Sequence, residues 1–311
     1  MKKLKFIVSL TTDDNDYQQE QAASALETAA RLAVEIELVY AENDAVLQSQ
    51  QLLKFIQSNP ESRPSGIIFE PVGGTAMPQV ARAAAAAGIG WVVLNRDVEY
   101  VADLRRSFKV PIFSITSDHE EIGRIQGRQI AALVPKGGSI LSVQGPAESL
   151  AAKQRAMGMH EVKPANVQVK AIKASWTEAS AHRTVSSWLK LSTSQQTVLD
   201  AVAAQDDSMA LGARKAFQEI HDSALRDRWL ASPFLGIDGM PKTGQADVRR
   251  GLLAATIIVP TNTGTGIEML ARALNTGASP PEKTLTGAQS FPSIEDLARK
   301  GSQKAHGSGA H

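Results

Sequence analysis

Short runs rich in valine, isoleucine and leucine recur along this chain, and stretches with helical periodicity separate most of them. The runs are Lys5–Leu10, Ile36–Tyr40, Gly66–Glu70, Trp91–Asn95, Ile112–Thr116, Ser139–Gln144, Val167–Ile172, Val198–Ala203, Phe234–Ile237 and Ala255–Val259. The intervening amphipathic or alanine-rich stretches include Gln18–Leu32, Val46–Gln57, Met77–Ala87, Glu121–Leu133, Ala151–Met159 and Met209–Ile220. A strand that is apolar on both faces needs cover on both. Helices that return the chain between parallel strands supply it. The alternation therefore predicts an α/β fold built on parallel sheets.

A coarse internal repeat divides that fold in two. SGIIFEP (Ser65–Pro71) is a strand, followed by a helix and then GIGWVVLNRD (Gly88–Asp97), a strand ending in polar groups. TVLDAVAAQDD (Thr197–Asp207) leads through a helix to ASPFLGIDGM (Ala231–Met240) in the same order. The 311 residues suit two doubly wound lobes of about 150 residues each. In open parallel sheets, ligands sit beyond the carboxyl ends of the strands. Two lobes facing each other through those ends would trap a solute.

Composition narrows the function. Lys plus Arg number 33 against 32 Asp plus Glu, a formal net charge of +1 with no basic run, so no nucleic-acid partner is expected. The chain has no cysteine, which removes disulfides, thiolate nucleophiles and cysteine-held metals. None of its six histidines stands in a motif with a nucleophile or at metal-ligand spacing, and no cofactor or metal is expected. The opening MKKLKFIVSL superficially resembles a leader, but Lys5 interrupts its apolar run and TTDDND follows where a cleavage site would stand. Leu4–Leu10 is read as a first buried strand. No apolar run approaches the roughly 18 residues of a membrane helix, so no membrane insertion is expected. The polar, glycine-containing tail from Lys300 to His311 is expected to be disordered.

Residues just past each strand are the candidate contacts. Ser9 ends the first run, and the acidic loop Thr11–Asp16, with Asn15, leads to Tyr17. The loop could cap a ligand on which Tyr17 stacks, or its side chains could cap the helix that starts near Tyr17. Asn95 and Arg96 follow the fourth run. A guanidinium offers five fixed donors to hydroxyl or carboxylate oxygens, the alternative being a surface ion pair. Ser117 and Asp118 precede a helix, which Asp118 caps as readily as it meets a ligand. Arg155 lies in the third turn of its helix, directed either to the cleft or to the surface. Trp176 could cover the C–H face of a sugar ring, core packing being the default otherwise. Asp206 and Asp207 open a helix, where capping accounts for at least one of them. Asp238 stands among glycines that permit close backbone approach, and a carboxylate accepts two hydroxyl hydrogen bonds at once.

Over about Phe6–Gly277 these segments resemble the ribose-binding-protein family, the type I periplasmic sugar-binding proteins. The carriers are LNRD (Leu94–Asp97), SDHEEIGRIQG (Ser117–Gly127), AAKQRAMGM (Ala151–Met159), AQDDSMALGARKAF (Ala204–Phe217), GIDGMP (Gly236–Pro241) and GLLAATI (Gly251–Ile257). The resemblance implies two Rossmann-like lobes joined by a three-segment hinge, with the ligand in the hinge cleft. One lobe would hold residues 1–115 and 260–284, the other 116–259 and 285–300. It also implies ligand contacts at Asn95 and Arg96 in the first lobe and at Arg155, Trp176, Asp206 and Asp238 in the second. Tyr17 matches one aromatic of a first loop that usually reads Asn-Pro-Phe-Phe. The chain departs from the family in that loop, in Asp206 where Asn is common, and in Val259 where a Gln often bonds the sugar, with Thr261 or Asn262 as substitutes.

The expected function is that of a monomeric, extracytoplasmic or periplasmic solute-binding protein. It would close on a sugar or polyol and deliver it to an ABC transporter permease. A ligand-sensing domain of the same fold is the alternative. Lac-type repressors share the lobes but carry a DNA-reading segment ahead of them, whereas here the first strand begins by about Leu4. Catalysis is not expected. Glycoside hydrolysis needs carboxylates about 5 to 9 Å apart across the bond; Asp206 and Asp207 are sequence neighbours, and although Asp206 with Asp238 could meet that distance, neither has an identifiable proton-tuning partner.

Overall fold

The structure is a computed structural model that describes residues 3–73, 77–96, 98–195 and 197–299. The tail expected to be disordered, and Asp97 of the strand-tip motif, lie outside the described residues.

In chain order the elements begin β1 (Lys5–Leu10), α1 (Asp16–Leu32), β2 (Glu35–Tyr40), α2 (Ala45–Ile56), β3 (Gly66–Phe69) and α3 (Pro78–Ala86). Next come β4 (Gly90–Leu94), α4 (Tyr100–Ser107), β5 (Ile112–Ser117), α5 (His119–Leu133), β6 (Gly138–Gln144) and α6 (Leu150–Val162). They continue with β7 (Val167–Lys173), α7 (Glu178–Leu189), α8 (Ser192–Gln195), β8 (Ala201–Ala204), α9 (Asp207–Gln218) and α10 (Ser223–Leu230). The last are β9 (Phe234–Leu235), α11 (Gly244–Arg249), β10 (Thr256–Ile258), α12 (Thr263–Thr276), β11 (Lys283–Thr286) and β12 (Gln289–Phe291). No helix among the described residues is long and apolar enough to cross a membrane.

The chain divides into two compact units. One takes the chain up to Ser117 and then Pro260–Thr286; the other takes Asp118–Val259 and the chain from Gly287 onward. The backbone thus passes between them three times.

The first unit holds a six-stranded sheet in the order β11-β5-β4-β3-β1-β2, every neighbouring pair parallel. Successive side chains of a strand point to opposite faces, and here both faces are apolar. Ile7, Phe69, Trp91 and Val93 pack under α2, α3 and α4. Phe6, Val8, Ile68, Val92 and Leu94 pack under α1 and α12.

The second unit holds a parallel sheet in the order β7-β6-β8-β9, with β10 and β12 paired antiparallel beside it. Parallel bridges from Leu235 to Ala255 and from Asp238 to Ile258 attach that pair. Leu141, Val143, Val202 and Ala204 face Met209, Phe217 and Trp229, while Ile140, Ala201, Ala203 and Leu235 face Ile130 and Met159. Helices α5 and α6 touch backbone to backbone. A Cβ on Gly123 would sit 2.1 Å from the Arg155 carbonyl oxygen, and one on Gly158 would sit 1.9 Å from that of Glu120. Only glycine fits there.

The expected architecture, parallel α/β sheets in two lobes, is the one the chain forms. Two local expectations change. The eighth strand begins at Ala201 rather than Val198, which is 59% exposed. The edge strand β11 and the strand β12 arise from residues without a strong apolar run.

Candidate functional site

In the first unit, polar residues line the carboxyl edge of the sheet. Asn95, one residue past β4, adopts the left-handed conformation (φ +57°) and is buried. Its amide nitrogen donates to Glu70 Oε2 at 2.9 Å and to the Tyr17 hydroxyl at 3.3 Å. Its amide oxygen accepts from Asn262 Nδ2 at 2.6 Å. Glu70, just past β3, also accepts from Gln18 Nε2 at 2.9 Å. The Tyr17 hydroxyl donates to the Pro260 carbonyl at 3.2 Å. Asn262 Oδ1 accepts from the Thr286 hydroxyl at 3.0 Å, which lies 3.2 Å from that of Ser117. Arg96 is half-buried and donates from Nη1 to the Asn95 carbonyl at 2.8 Å.

The second unit carries a different set on the same edge of its own sheet. Gln205, past β8, accepts the Gly145 N–H at 2.9 Å and donates to the Ala152 carbonyl at 2.9 Å, tying the β6 tip to α6. Arg155 is 7% exposed and donates from Nη1 to the Gln205 carbonyl. Its guanidinium carbon lies 5.7 Å from the Trp176 ring centroid, a cation–π contact. Its Nε meets no acceptor among the described residues. Trp176, past β7, is itself left-handed (φ +52°), and its indole lies so close to Gly145 that a Cβ there would come within 2.2 Å of the ring. Asp238, past β9, has φ +113° and is held by backbone bonds to Ile257 and Val259.

Asp206 and Asp207 divide two tasks. Asp206 caps α9, its carboxylate accepting from Met209 N at 2.5 Å. Asp207 is enclosed. Oδ1 accepts from the Thr256 hydroxyl at 2.6 Å, and Oδ2 from Gly239 N at 2.8 Å. A Cβ on Gly236 would sit 2.0 Å from Oδ1, and one on Gly244 would sit 1.9 Å from Oδ2. Burial pushes its pKa up from the usual 3.8 to about 8, with Asp206 and Asp247 adding to the rise and the two hydrogen bonds opposing it.

A model of the periplasmic binding protein domain matches residues 6–279. The chain belongs to the periplasmic binding protein family. It is 28% identical over 193 residues to a Rhizobium meliloti protein named for rhizopine binding, a match covering 60% of this chain and 58% of that one. Over 256 residues it is 23% identical to the ribose import binding protein of Bacillus subtilis, covering 82% of this chain and 76% of the other. Among solved structures, the binding protein of the arabinose ABC transporter from Shewanella sp. ANA-3, bound to L-arabinofuranose, superposes with a TM-score of 0.78. Their sequences are 20% identical, with 99% of each chain covered.

Within this binding protein the expected contact residues fall into two groups. Tyr17, Asn95, Arg96 and Ser117 join one hydrogen-bonded edge, and Arg155, Trp176 and Asp206 meet around Gln205, with Asp238 at the next strand tip. Two more of them stand at helix starts. Asn15 caps α1 by accepting from Gln18 N at 3.0 Å, and Asp118 caps α5 by accepting from Glu121 N at 2.9 Å. The expected contact at Ser9 is corrected, since the residue is fully buried and its hydroxyl accepts from Gln48 Nε2 at 3.1 Å. Asn262, suggested as a substitute contact, is fully buried between Asn95 and Thr286. Reading the sequence missed Glu70, Gln18, Gln48 and Gln205. Polar residues beside strand tips were the available signal, but their partners depend on strand order.

Proposed function

We propose that this protein captures a sugar or polyol and delivers it, chemically unchanged, to the permease of a carbohydrate-type ABC transporter outside the cytoplasm. The observation that carries the reading is Arg155: a guanidinium 7% exposed, fixed over Trp176, with an Nε donor that meets no acceptor among the described residues. A buried donor of that kind is costly unless something accepts from it. A solute hydroxyl oxygen is one acceptor that would satisfy it once the guanidinium turns toward the solute, and the half-buried Trp176 indole offers an aromatic face for a ring's C–H surface. In the second unit Asp206 and Asp238 are the further proposed contacts, and in the first unit Tyr17, Asn95 and Arg96 are. Ser117 and Asp118 lie at the first chain crossing and are proposed contacts there. The reading makes the three crossings that hinge, with solute contacts present only in the closed form driving closure. The ribose and L-arabinofuranose named for the relatives are polyhydroxylated, which supports the class of ligand.

No catalytic step belongs to this reading. Asp207 is almost fully buried, with both carboxyl oxygens held by hydrogen bonds. The test is mass spectrometry of small molecules released from the purified protein, with melting curves in D-ribose, L-arabinose, xylitol and myo-inositol. A saturating solute at 100 times its Kd adds about 2.7 kcal/mol of stability. A protein that releases no polyhydroxylated molecule and shows no shift with any of the four would end the proposal.

A further inference from the structure

We propose that in each unit a buried carboxylate at one strand tip is a positioning residue for the solute contact at the neighbouring tip. Glu70 serves Asn95 and Arg96, and Asp207 serves Asp238. The inference rests on the binding function proposed above and adds two residues that touch no solute.

The two cases share one plan. Glu70 follows β3, and β3 pairs with β4, whose tip carries Asn95 and Arg96. Asp207 stands close after β8, and β8 pairs with β9, which is followed by Asp238. Both acids are almost fully buried, where a carboxylate is tolerated only with hydrogen bonds to its oxygens. Glu70 receives two amide donors, from Gln18 and from Asn95. Asp207 receives the Thr256 hydroxyl and the Gly239 N–H.

The residue each one steadies is in an uncommon conformation. Asn95 has φ +57° and Asp238 has φ +113°. The left-handed region is one that Asn enters more readily than most residues, whereas φ +113° at Asp238 is held only where the surroundings impose it. Glu70 grips the Asn95 side chain itself, and the Arg96 guanidinium then bonds the Asn95 carbonyl, so Arg96 inherits the placement. Asp207 grips the backbone on the far side of Asp238, and Gly236 and Gly244 close around its two oxygens with no space for a side chain. One unit uses Glu on an amide and the other Asp on a backbone N–H, within the same strand–tip–helix–strand–tip order.

The experiment compares Glu70→Ala, Glu70→Gln, Asp207→Ala and Asp207→Asn. Affinity is measured for whichever of D-ribose, L-arabinose, xylitol and myo-inositol the parent protein binds. Hydrogen exchange is measured in the Leu94–Arg96 and Phe234–Met240 segments. Each alanine variant should weaken binding about tenfold or more, as a misplaced contact does, and should speed exchange in its own segment only. Glu70→Gln keeps an amide oxygen for both donors and should recover most of the loss. Asp207→Asn should do likewise, with its oxygen toward Gly239 and its nitrogen toward the Thr256 hydroxyl. Alanine variants that bind as tightly as the parent, or whose exchange rises evenly through the unit, would overturn the inference. Should Asp207→Ala fail to fold, the Glu70 pair decides it. A parent that binds none of the four solutes and releases no polyhydroxylated molecule defeats the functional reading, while the exchange measurements still decide whether the carboxylates hold the tips.

Discussion

Asp207 should make this protein less stable as the pH rises from 5 to 8, and Asp207→Asn should remove that slope. The carboxyl titrates near 8 when folded and near 3.8 when exposed in the unfolded chain. Its folded pKa is the higher one, so the native state binds the proton more tightly. The stabilisation is fully present below about pH 4 and lost as the pH climbs through about 8. Between those limits the unfolded chain has released the proton while the folded one keeps it, and each pH unit removes about 1.4 kcal/mol. Across pH 5 to 7 that is roughly 3 kcal/mol, large against a typical total of about 5–15. The hydrogen bonds survive the proton because the Thr256 hydroxyl can accept from a protonated carboxyl as readily as it donates to an ionised one. The assay is urea unfolding of both proteins at pH 5, 6, 7 and 8, with the difference between them plotted against pH. Glu121, whose pKa is held low by hydrogen bonds from Arg124 and Arg128, acts at lower pH and cancels in that difference. Parallel curves for the two proteins would show that Asp207 is ionised in the native state and that its enclosure has been misjudged.

Three further outcomes are expected. Gly123→Ala should cost about 1–3 kcal/mol in chemical unfolding, because its methyl group meets the Arg155 carbonyl at 2.1 Å; an unchanged midpoint would mean that α5 and α6 are not in backbone contact. Gly145→Ala should displace the Trp176 indole, shifting tryptophan emission and weakening solute binding without unfolding the protein, and identical spectra would refute that packing. Tyr100→Phe should cost about 1–3 kcal/mol by leaving the Trp91 indole N–H, now 3.1 Å from the phenol oxygen, without its acceptor; calorimetry reads the change directly.

The parallel strands were readable because residues buried on both faces leave a continuous apolar run. That signal fails at the margins. Val198 belongs to an apolar run but is mostly exposed, while β11 (KTLT) lies at a sheet edge and alternates half-buried with exposed residues. Helix α12 starts with TGTG, which dilutes its helical pattern even though Ile267, Leu270 and Ala271 occupy one buried face. The strand tips were readable as polar, so Asn95, Arg96, Trp176 and Asp238 could be singled out. Their partners were not, because Glu70 reaches Asn95 only through the pairing of β3 with β4, and a single sequence does not state strand order. Glutamines were the least visible of all. Gln18, Gln21, Gln48, Gln126, Gln129 and Gln205 are buried, and each bonds a residue far away in the chain. A glutamine of this kind looks like any surface residue until its neighbours are known.

The chain leaves the first unit beside Ser117 and Thr286 and re-enters it at Pro260. All three crossings are laced to one amide: Asn262 reaches from Asn95 to Thr286, Thr286 reaches Ser117, and Tyr17 bridges Asn95 to Pro260. Anything that tugs on Asn95 is therefore felt at every crossing within a few hydrogen bonds. The position of a single side chain and the set of the chain at its three crossings become one coupled variable.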